Sequence, residues 1–448
     1  MKKFLLAALV LTGFAATAQD SAQNKTLTIT LDKALEIALS DNPTIKIADY
    51  EIDRVDYSKK AAWGALLPSL DATGQLGRYV QRQEMNLGGT LIPMPIDNTM
   101  SVTVSLSLPL IVPALWQSIQ MSNLEMQLSV EKARASKITL RNDVTKAYYN
   151  ILLAQDSYKA LQDGYKLAEE NYNLAKNRYE NGMAAEYDYI SAEVQMNNLL
   201  PNLLQVENGM AQAKLYLKVL MGVDMAVTIE VEGSLADFEA NVATAKNNEI
   251  SLNNNNDLVQ LDIQQQQLHK SLQMQNAQHL PSLVAFGQYS YSGSGSDKEE
   301  QSAFGAMYGA PPTPPGMQWT PGGILVGLQL TVPIFKGFTV STKAKQIKIQ
   351  EKELELQREY LAHSLNVQVR TAIDNMEKAV RQMESNKKAV ELADKAYKIS
   401  NTRYNVGAST MLELNNSALA LTQSKLSYHQ AISDYLSAKA DFEKIVGQ

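Results

Sequence analysis

Between Ala114 and Asn181 the sequence contains no proline and a single glycine, Gly164. Within that stretch Leu161, Tyr165, Ala168, Tyr172, Ala175 and Tyr179 recur at spacings of four and three, a heptad seam of the kind that packs helices into coiled coils. Val369, Ile373, Met376, Val380 and Met383 repeat the pattern later in the chain. At ~1.5 Å per residue, a continuous helix over either stretch would reach roughly 100 Å. No compact globular core needs that length, so long helices packed side by side must dominate the fold.

The two stretches belong to a longer internal repeat. Leu67-Pro68-Ser69-Leu70 returns as Leu280-Pro281-Ser282-Leu283, and Arg178-Tyr179-Glu180-Asn181-Gly182 returns as Arg403-Tyr404-Asn405-Val406-Gly407. Around the second pair the offset is 407 − 182 = 225, and Ala147/Ala372, Asn150/Asn375 and Gly222/Gly447 keep it. A repeat this long implies a duplicated architecture rather than a small-unit solenoid. Any site is then expected twice, in two versions.

Between the helical stretches lie short runs of period two. Ser101, Thr103, Ser105 and Ser107 alternate with Val102, Val104, Leu106 and Leu108. Ile324, Val326, Leu328, Leu330 and Val332 alternate with Leu325, Gly327, Gln329 and Thr331, and Leu70, Ala72, Gly74 and Leu76 with Asp71, Thr73 and Gln75. After Pro281, Leu283, Ala285, Gly287, Tyr289 and Tyr291 line one face, but Val284 and Phe286 interrupt the other. Runs of about ten residues suffice for a tilted transmembrane strand. Tyr79, Trp116, Tyr289, Tyr291, Trp319 and Phe335 lie toward strand ends, where an aromatic girdle would sit. A single such run is equally compatible with a soluble sandwich that is hydrophobic on one side.

Residues 1–18, with Lys2-Lys3, an apolar run from Phe4 to Phe14 and Ala16-Thr17-Ala18, read as a secretory signal peptide; a buried N-terminal helix is the alternative. Losing Lys2 and Lys3 moves the net charge from −6 to −8 (39 basic against 47 acidic residues), so the basic footprint of a nucleic-acid binder is missing. Zero cysteines exclude disulfides, thiolate metal sites, cysteine nucleophiles and a cysteine-linked lipid. After residue 18 no run of about 18 apolar residues occurs, so any membrane crossing must use strands.

The expected organisation is a first unit over 19–235, with strands at 68–84 and 99–110, a long helix at 113–181 and a return helix at 185–221. A second unit over 236–448 has a helix at 255–279, strands at 281–293 and 323–335, a long helix at 338–406 and a return helix at 410–446. Loops are expected at 87–99 and 293–322, a short strand at Val227–Val231, an irregular junction at Asn247–Asn256 and a mobile leader at 19–28. Pro201 is expected to kink the first return helix or remove one of its hydrogen bonds.

Four strands cannot close a membrane barrel, and an open edge in lipid leaves backbone groups unpaired. Assembly with further copies is therefore required. Two copies give eight strands, whose interior side chains nearly fill; three give twelve, leaving a lumen lined by Ser101, Thr103, Ser105, Ser107, Gln329 and Thr331. This is a mixed α/β membrane protein that reads as a channel, not an active site.

Thr30-Leu31-Asp32-Lys33-Ala34-Leu35-Glu36-Ile37-Ala38-Leu39 with Asn42-Pro43 resembles the opening motif of TolC-type outer membrane factors. The Leu-Pro-Ser-Leu strand entries, both Arg-Tyr-x-x-Gly turns and the terminal Ile445-Val446-Gly447 are similar to the same family, in order along the whole mature chain. The resemblance implies a homotrimer with a twelve-stranded barrel in the outer membrane and a periplasmic coiled-coil tunnel. It implies an exit duct for efflux or type I secretion that docks on a periplasmic adaptor and an inner-membrane transporter. Gly182 and Gly407 then mark hairpins at a periplasmic tip that is shut at rest.

By that resemblance Asp188 bonds across to Tyr404, and Glu413 belongs to an acidic ring that constricts the tunnel. Ser409 stands where the family has an arginine, and Asn416 where it has a second ring acid, so fewer cross-links are expected. The plainer reading is that Glu186, Asp188 and Glu413 are first-turn acids favoured by the helix dipole, with Thr410-Met411-Leu412-Glu413 a capping box. Arg178 and Arg403 either contact an adaptor hairpin or, as arginines of a C-terminal turn, satisfy helix carbonyls. The stripe Tyr165, Tyr172, Tyr179 reads as seam packing rather than a ligand platform. His269, His279, His363 and His429 form no metal spacing, and Gly293-Ser294-Gly295 lacks a phosphate cradle, so no catalysis, cofactor or metal is expected. The competing class is a structural or adhesive coiled-coil assembly.

Overall fold

The computed structural model describes residues 27–87, 89–241, 251–301, 305–306 and 308–447. The expected signal peptide and most of the leader lie outside the described residues, as does the first part of the asparagine-rich junction. The chain divides into two compact units, one made of Met1–Tyr50, Glu131–Val259 and Glu359–Gln448, the other of Glu51–Val130 and Gln260–Arg358.

In chain order the elements are β1 (Leu27–Ile29), α1 (Leu31–Asp41), α2 (Pro43–Gly64), β2 (Ser69–Arg78), β3 (Glu84–Leu87), β4 (Thr90–Pro93), β5 (Asn98–Ile111), α3 (Pro113–Glu180), α4 (Glu186–Asn197), α5 (Leu200–Met221) and β6 (Ile229–Val231). A short 3-10 helix (Leu235–Asn241) leads to α6 (Asn256–Ala277), β7 (Ser282–Ser296), β8 (Gly316–Thr331), α7 (Thr339–Asn405) and α8 (Met411–Val446). Among the described residues no helix is long and apolar enough to cross a membrane.

In the first unit β1 and β6 pair in parallel, Leu27 opposite Ile229 and Ile29 opposite Val231. They sit in a core of Ile151, Leu152, Leu217, Met221, Ile432 and Tyr435, and the Tyr148 hydroxyl donates to the Glu232 carbonyl at 2.6 Å. Two helix junctions beside this core are built alike. Asn42 ends α1: its Nδ2 donates to the Leu220 carbonyl at 2.7 Å and its Oδ1 accepts from Thr44 N at 2.7 Å. Asn255 starts α6: its Nδ2 donates to the Ile445 carbonyl at 2.8 Å and its Oδ1 accepts from Asp257 N at 3.0 Å. Opposite each lies a left-handed glycine, Gly222 (φ 68°) and Gly447 (φ 83°), where a Cβ would meet Asp41 O at 2.7 Å and Asn254 O at 2.2 Å.

The first return segment is not one helix. It breaks at Asn198-Leu199, and Pro201 occupies the first turn of α5, where its missing N–H has no intrahelical partner to lose. A proline that was expected to kink a helix instead begins one. Gly164 has a packing reason: a Cβ there would lie 2.5 Å from Thr422 Oγ1 of α8, so α3 and α8 approach backbone to side chain.

The second unit holds an antiparallel sheet in the order β2-β5-β7-β8. Its register runs Asp71–Ser105–Gln288–Leu325 across one row and Leu70–Leu106–Gly287–Val326 across the next. Because directly opposed residues share a face, Ser101, Thr103, Ser105, Ser107, Gln329 and Thr331 fall on the same side, with Val284, Phe286 and Leu325 among them, and Val104, Leu106, Leu283, Val326, Leu328 and Leu330 on the other. Phe286, which breaks the polar alternation, lies opposite Gly327, and a Cβ on that glycine would sit 3.0 Å from the ring. The two departures compensate, an aromatic covering a bare glycine. Leu70, Ile324 and Val326 are 70, 80 and 74% exposed, so among the described residues no second layer covers them. β8 begins at Gly316, inside the expected Pro/Gly loop, because Trp319 stacks on Tyr291 at 5.1 Å with 7° between the ring planes. The first strand ends at Arg78 rather than 84, and a β3–β4 hairpin follows, with β3 before the other expected loop and β4 inside it.

Those loops are tied by one guanidinium. Arg82 reaches Asp97 through Nε and Nη2 at 2.7 Å each and Glu300 through Nη1 at 2.7 Å. Asp97 also accepts from Asp297 N at 3.0 Å, and Arg78 pairs with Asp297 at 2.6 Å. Hydrogen bonding from Arg82, then from the Asp297 N–H, holds the Asp97 carboxyl well below the usual carboxylate range. A depressed folded pKa contributes stability above the unfolded value, about 4, that is lost only as pH falls through the folded one. The Asp297 amide, corrected for intrinsic rate, is therefore expected to stay protected from neutral pH down to about 4. Asp97→Asn should unprotect it across that range; equal hydrogen exchange in both proteins would refute the tie.

Candidate functional site

The two hairpin tips of the first unit carry the densest set of expected site residues. α3 and α7 both end in a Schellman turn. Gly182 (φ 71°) donates to Tyr179 O at 2.9 Å and Met183 N to Arg178 O at 2.7 Å. Gly407 (φ 78°) donates to Tyr404 O at 3.0 Å and Ala408 N to Arg403 O at 2.8 Å. Glycine is required because the motif places that residue in the left-handed region.

Beyond each turn the acids fall in first helical turns. Glu186 and Asp188 open α4, and Glu413 opens α8. Thr410 Oγ1 accepts from Glu413 N at 3.2 Å, but the Glu413 carboxylate takes the Ser409 hydroxyl instead of closing the capping box. Glu413 and Asn416, three apart, share an exposed helix face.

Tyr404 is 4% exposed and packs in a small tip core with Ala175, Ala192, Met411 and Leu414. Burial pushes its hydroxyl pKa up, Arg178 pulls it down and the Asp188 charge pushes it up again. Among the described residues its polar partner within the chain is Arg178, not a hydrogen-bonded Asp188. Arg178 Nη1 donates to Tyr404 O and Nη2 to Asn405 O, each at 2.9 Å, and its guanidinium lies 4.5 Å from the Tyr404 ring centroid. Arg403 Nη2 donates to Ala408 O of its own turn at 3.0 Å. Arg178 does satisfy helix-end carbonyls, but those of the other hairpin.

Two tyrosines of the stripe, Tyr172 and Tyr179, pack on a partner that the heptad could not reveal. Tyr189 of α4 inserts between Tyr172 (5.5 Å) and Tyr179 (5.8 Å, 8° between planes). The hydrogen bond with Tyr172, with help from the Glu193 charge, holds the Tyr189 hydroxyl up at about 12. Also absent from the sequence reading is a buried amide pair, Asn171 Nδ2 to Asn415 Oδ1 at 3.5 Å. Among the described residues no cluster of His, Asp and Glu is arranged to hold a metal.

A sequence model of the family described as "Outer membrane efflux protein" matches residues 34–223 and 249–448. Outer membrane protein TolC of Vibrio cholerae is 21% identical over 285 residues, 63% of this chain and 59% of that protein, so the chain spans less than two thirds of this relative's length. The fold is similar to the Campylobacter jejuni CmeC outer membrane channel (TM-score 0.71, 15% identity, 93% of this chain and 85% of that one). It is also similar to VceC of Vibrio cholerae (TM-score 0.73, 14% identity, 93% and 96%). The open state of the Neisseria gonorrhoeae MtrE outer membrane channel aligns with TM-score 0.71 at 18% identity, over 93% and 88%.

Proposed function

Because the chain belongs to the outer membrane efflux protein family, an outer-membrane protein with a periplasmic helical extension, we propose that three copies form the passive exit duct of a tripartite efflux or type I secretion assembly. The observation that carries this reading is the sheet. Its serine and threonine rows and its main valine and leucine rows fall on opposite faces, with register shifts at Pro109/Ile111 and Tyr289/Tyr291, and β2 and β8 are both left with an open edge. Unpaired edges in lipid cost several kcal/mol per group. Pairing β8 of one copy with β2 of the next removes them and closes twelve strands around Ser101, Thr103, Ser105, Ser107, Gln329 and Thr331. The residues 19–235 and 236–448 are then the two duplicated units, a reading supported by the matched Asn42/Gly222 and Asn255/Gly447 junctions.

The tip is the gate. Asp188 and Tyr404 hold it shut from within, and Glu413, Ser409 and Asn416 line the constriction. The Gly182 and Gly407 turns, with Arg178 and Arg403, offer the surface on which a periplasmic adaptor and then the inner-membrane transporter act. The duct has no energy source of its own, so opening requires a partner with higher affinity for the open tip.

Conductance of the purified protein in planar bilayers tests this. The wild type is expected to pass small cations weakly at rest, and Asp188→Ala with Tyr404→Phe to raise resting conductance about tenfold, the size of one lost charge-assisted link. An unchanged conductance in the double variant removes both residues from the gate. No conductance under any condition favours an adhesive assembly instead.

A further inference from the structure

The two hairpin tips share a small apolar core and the Asn171–Asn415 amide pair, but at the turns themselves one charged side chain crosses between them. The Schellman turns close α3 and α7 on themselves, and Arg403 stays within its own turn, bonding Ala408 O. Arg178 crosses. Its two Nη groups donate to the Tyr404 and Asn405 carbonyls, at the end of α7, while its plane covers the buried Tyr404 ring. The Tyr404 carbonyl already takes Gly407 N in its own turn, so Arg178 adds a second donor there and supplies one to Asn405 O, and the end of the second hairpin is held partly by the first. The converse does not hold: the repeat places arginines at 178 and 403, but only the former bridges.

We propose that Arg178 is the latch that fixes the second hairpin to the first, so that the α7–α8 tip is held shut by α3 and is released when this one fork lets go. This rests on the reading of the tip as a gate. Arg178 is a positioning residue: it sets where Tyr404, Ser409 and Glu413 stand, through the backbone of the turn that precedes them. A planar fork that bonds two adjacent carbonyls while stacking on a ring has no lysine equivalent. Arg178→Lys should therefore fail nearly as fully as Arg178→Met.

The test is native-state hydrogen exchange on the full-length assembled protein, paired with bilayer conductance. In Arg178→Met and Arg178→Lys, amides at 404–410 are expected to exchange about tenfold faster than in the wild type, although the substitution lies on the other hairpin. Arg403→Met should loosen its own turn and leave 178–183 unchanged. If either Arg178 variant alters 178–183 but not 404–410, the latch is overturned whatever the conductance does. Faster exchange with raised resting conductance supports both latch and gate. Faster exchange with unchanged conductance keeps the latch and overturns the gate reading beneath it. Should Arg178→Met fail to assemble, Arg178→Lys, which retains the charge and most of the stem, carries the comparison.

Discussion

Gly222→Ala is expected to destabilise the fold by about 2–5 kcal/mol, from left-handed strain of about 1–2 kcal/mol and overpacking of about 1–3 kcal/mol. Gly222 has φ 68°, and the added Cβ would lie 2.7 Å from Asp41 O, 3.0 Å from Asp41 C and 3.2 Å from Asn42 Cα. These are backbone atoms, so no side chain can swing away. Retreat of the α1 end would also stretch the Asn42 bond to the Leu220 carbonyl, now 2.7 Å. Gly209 is the internal comparison, a glycine within α5 whose Cβ would meet nothing within 4 Å. Gly209→Ala should stabilise by up to about 1 kcal/mol through helix propensity alone. Denaturant unfolding of both variants decides it; if the two shift stability alike, the close approach of α1 and α5 is not what Gly222 serves.

The second large effect separates the faces of the sheet. Val326→Arg places a charge on the apolar face and is expected to cost about 2–4 kcal/mol in a bilayer. Ser105→Arg, in the adjacent row at nearly the same depth, faces the proposed lumen and should cost well under half of that, because the guanidinium remains in water. It should also shift selectivity toward anions. Folding yield into lipid vesicles reads the first effect and reversal potential the second. Equal folding yields would mean that the two faces meet the same solvent, and the barrel would have to be abandoned.

The long helices and the strands were legible because each repeats a simple period over many residues: the heptad from Leu161 to Tyr179, the alternation from Ser101 to Leu108. The tip glycines were legible because a left-handed turn leaves few alternatives to glycine. What the chain hides are contacts whose partners are distant and whose residue types are ordinary. Asn255 sits in a run of asparagines and gives no sign that it, like Asn42, will cap one helix and hold the end of another. Phe286 and Gly327 each look like flaws until the register sets them opposite one another. Arg178 shows the limit most plainly. Its place in the last turn of α3 suggested carbonyls, but only tertiary structure says whose. Pro201 misled because helix ends and helix kinks share one residue, and the break at Asn198-Leu199 carries no strong stop signal of its own.

The parallel pair β1–β6 has a consequence for biogenesis. Leu27 meets Ile229, so the first described strand of the chain must wait about two hundred residues for its partner. An exported chain emerges from its N-terminus, and until the Ile229–Val231 segment follows, Ile29, fully buried in the finished core, lacks its partner strand. Long sequence separation slows folding, and waiting apolar surface invites aggregation. The β1–β6 pair is thus completed late, and during transit the unpaired N-terminal strand is a part of this chain that needs shielding.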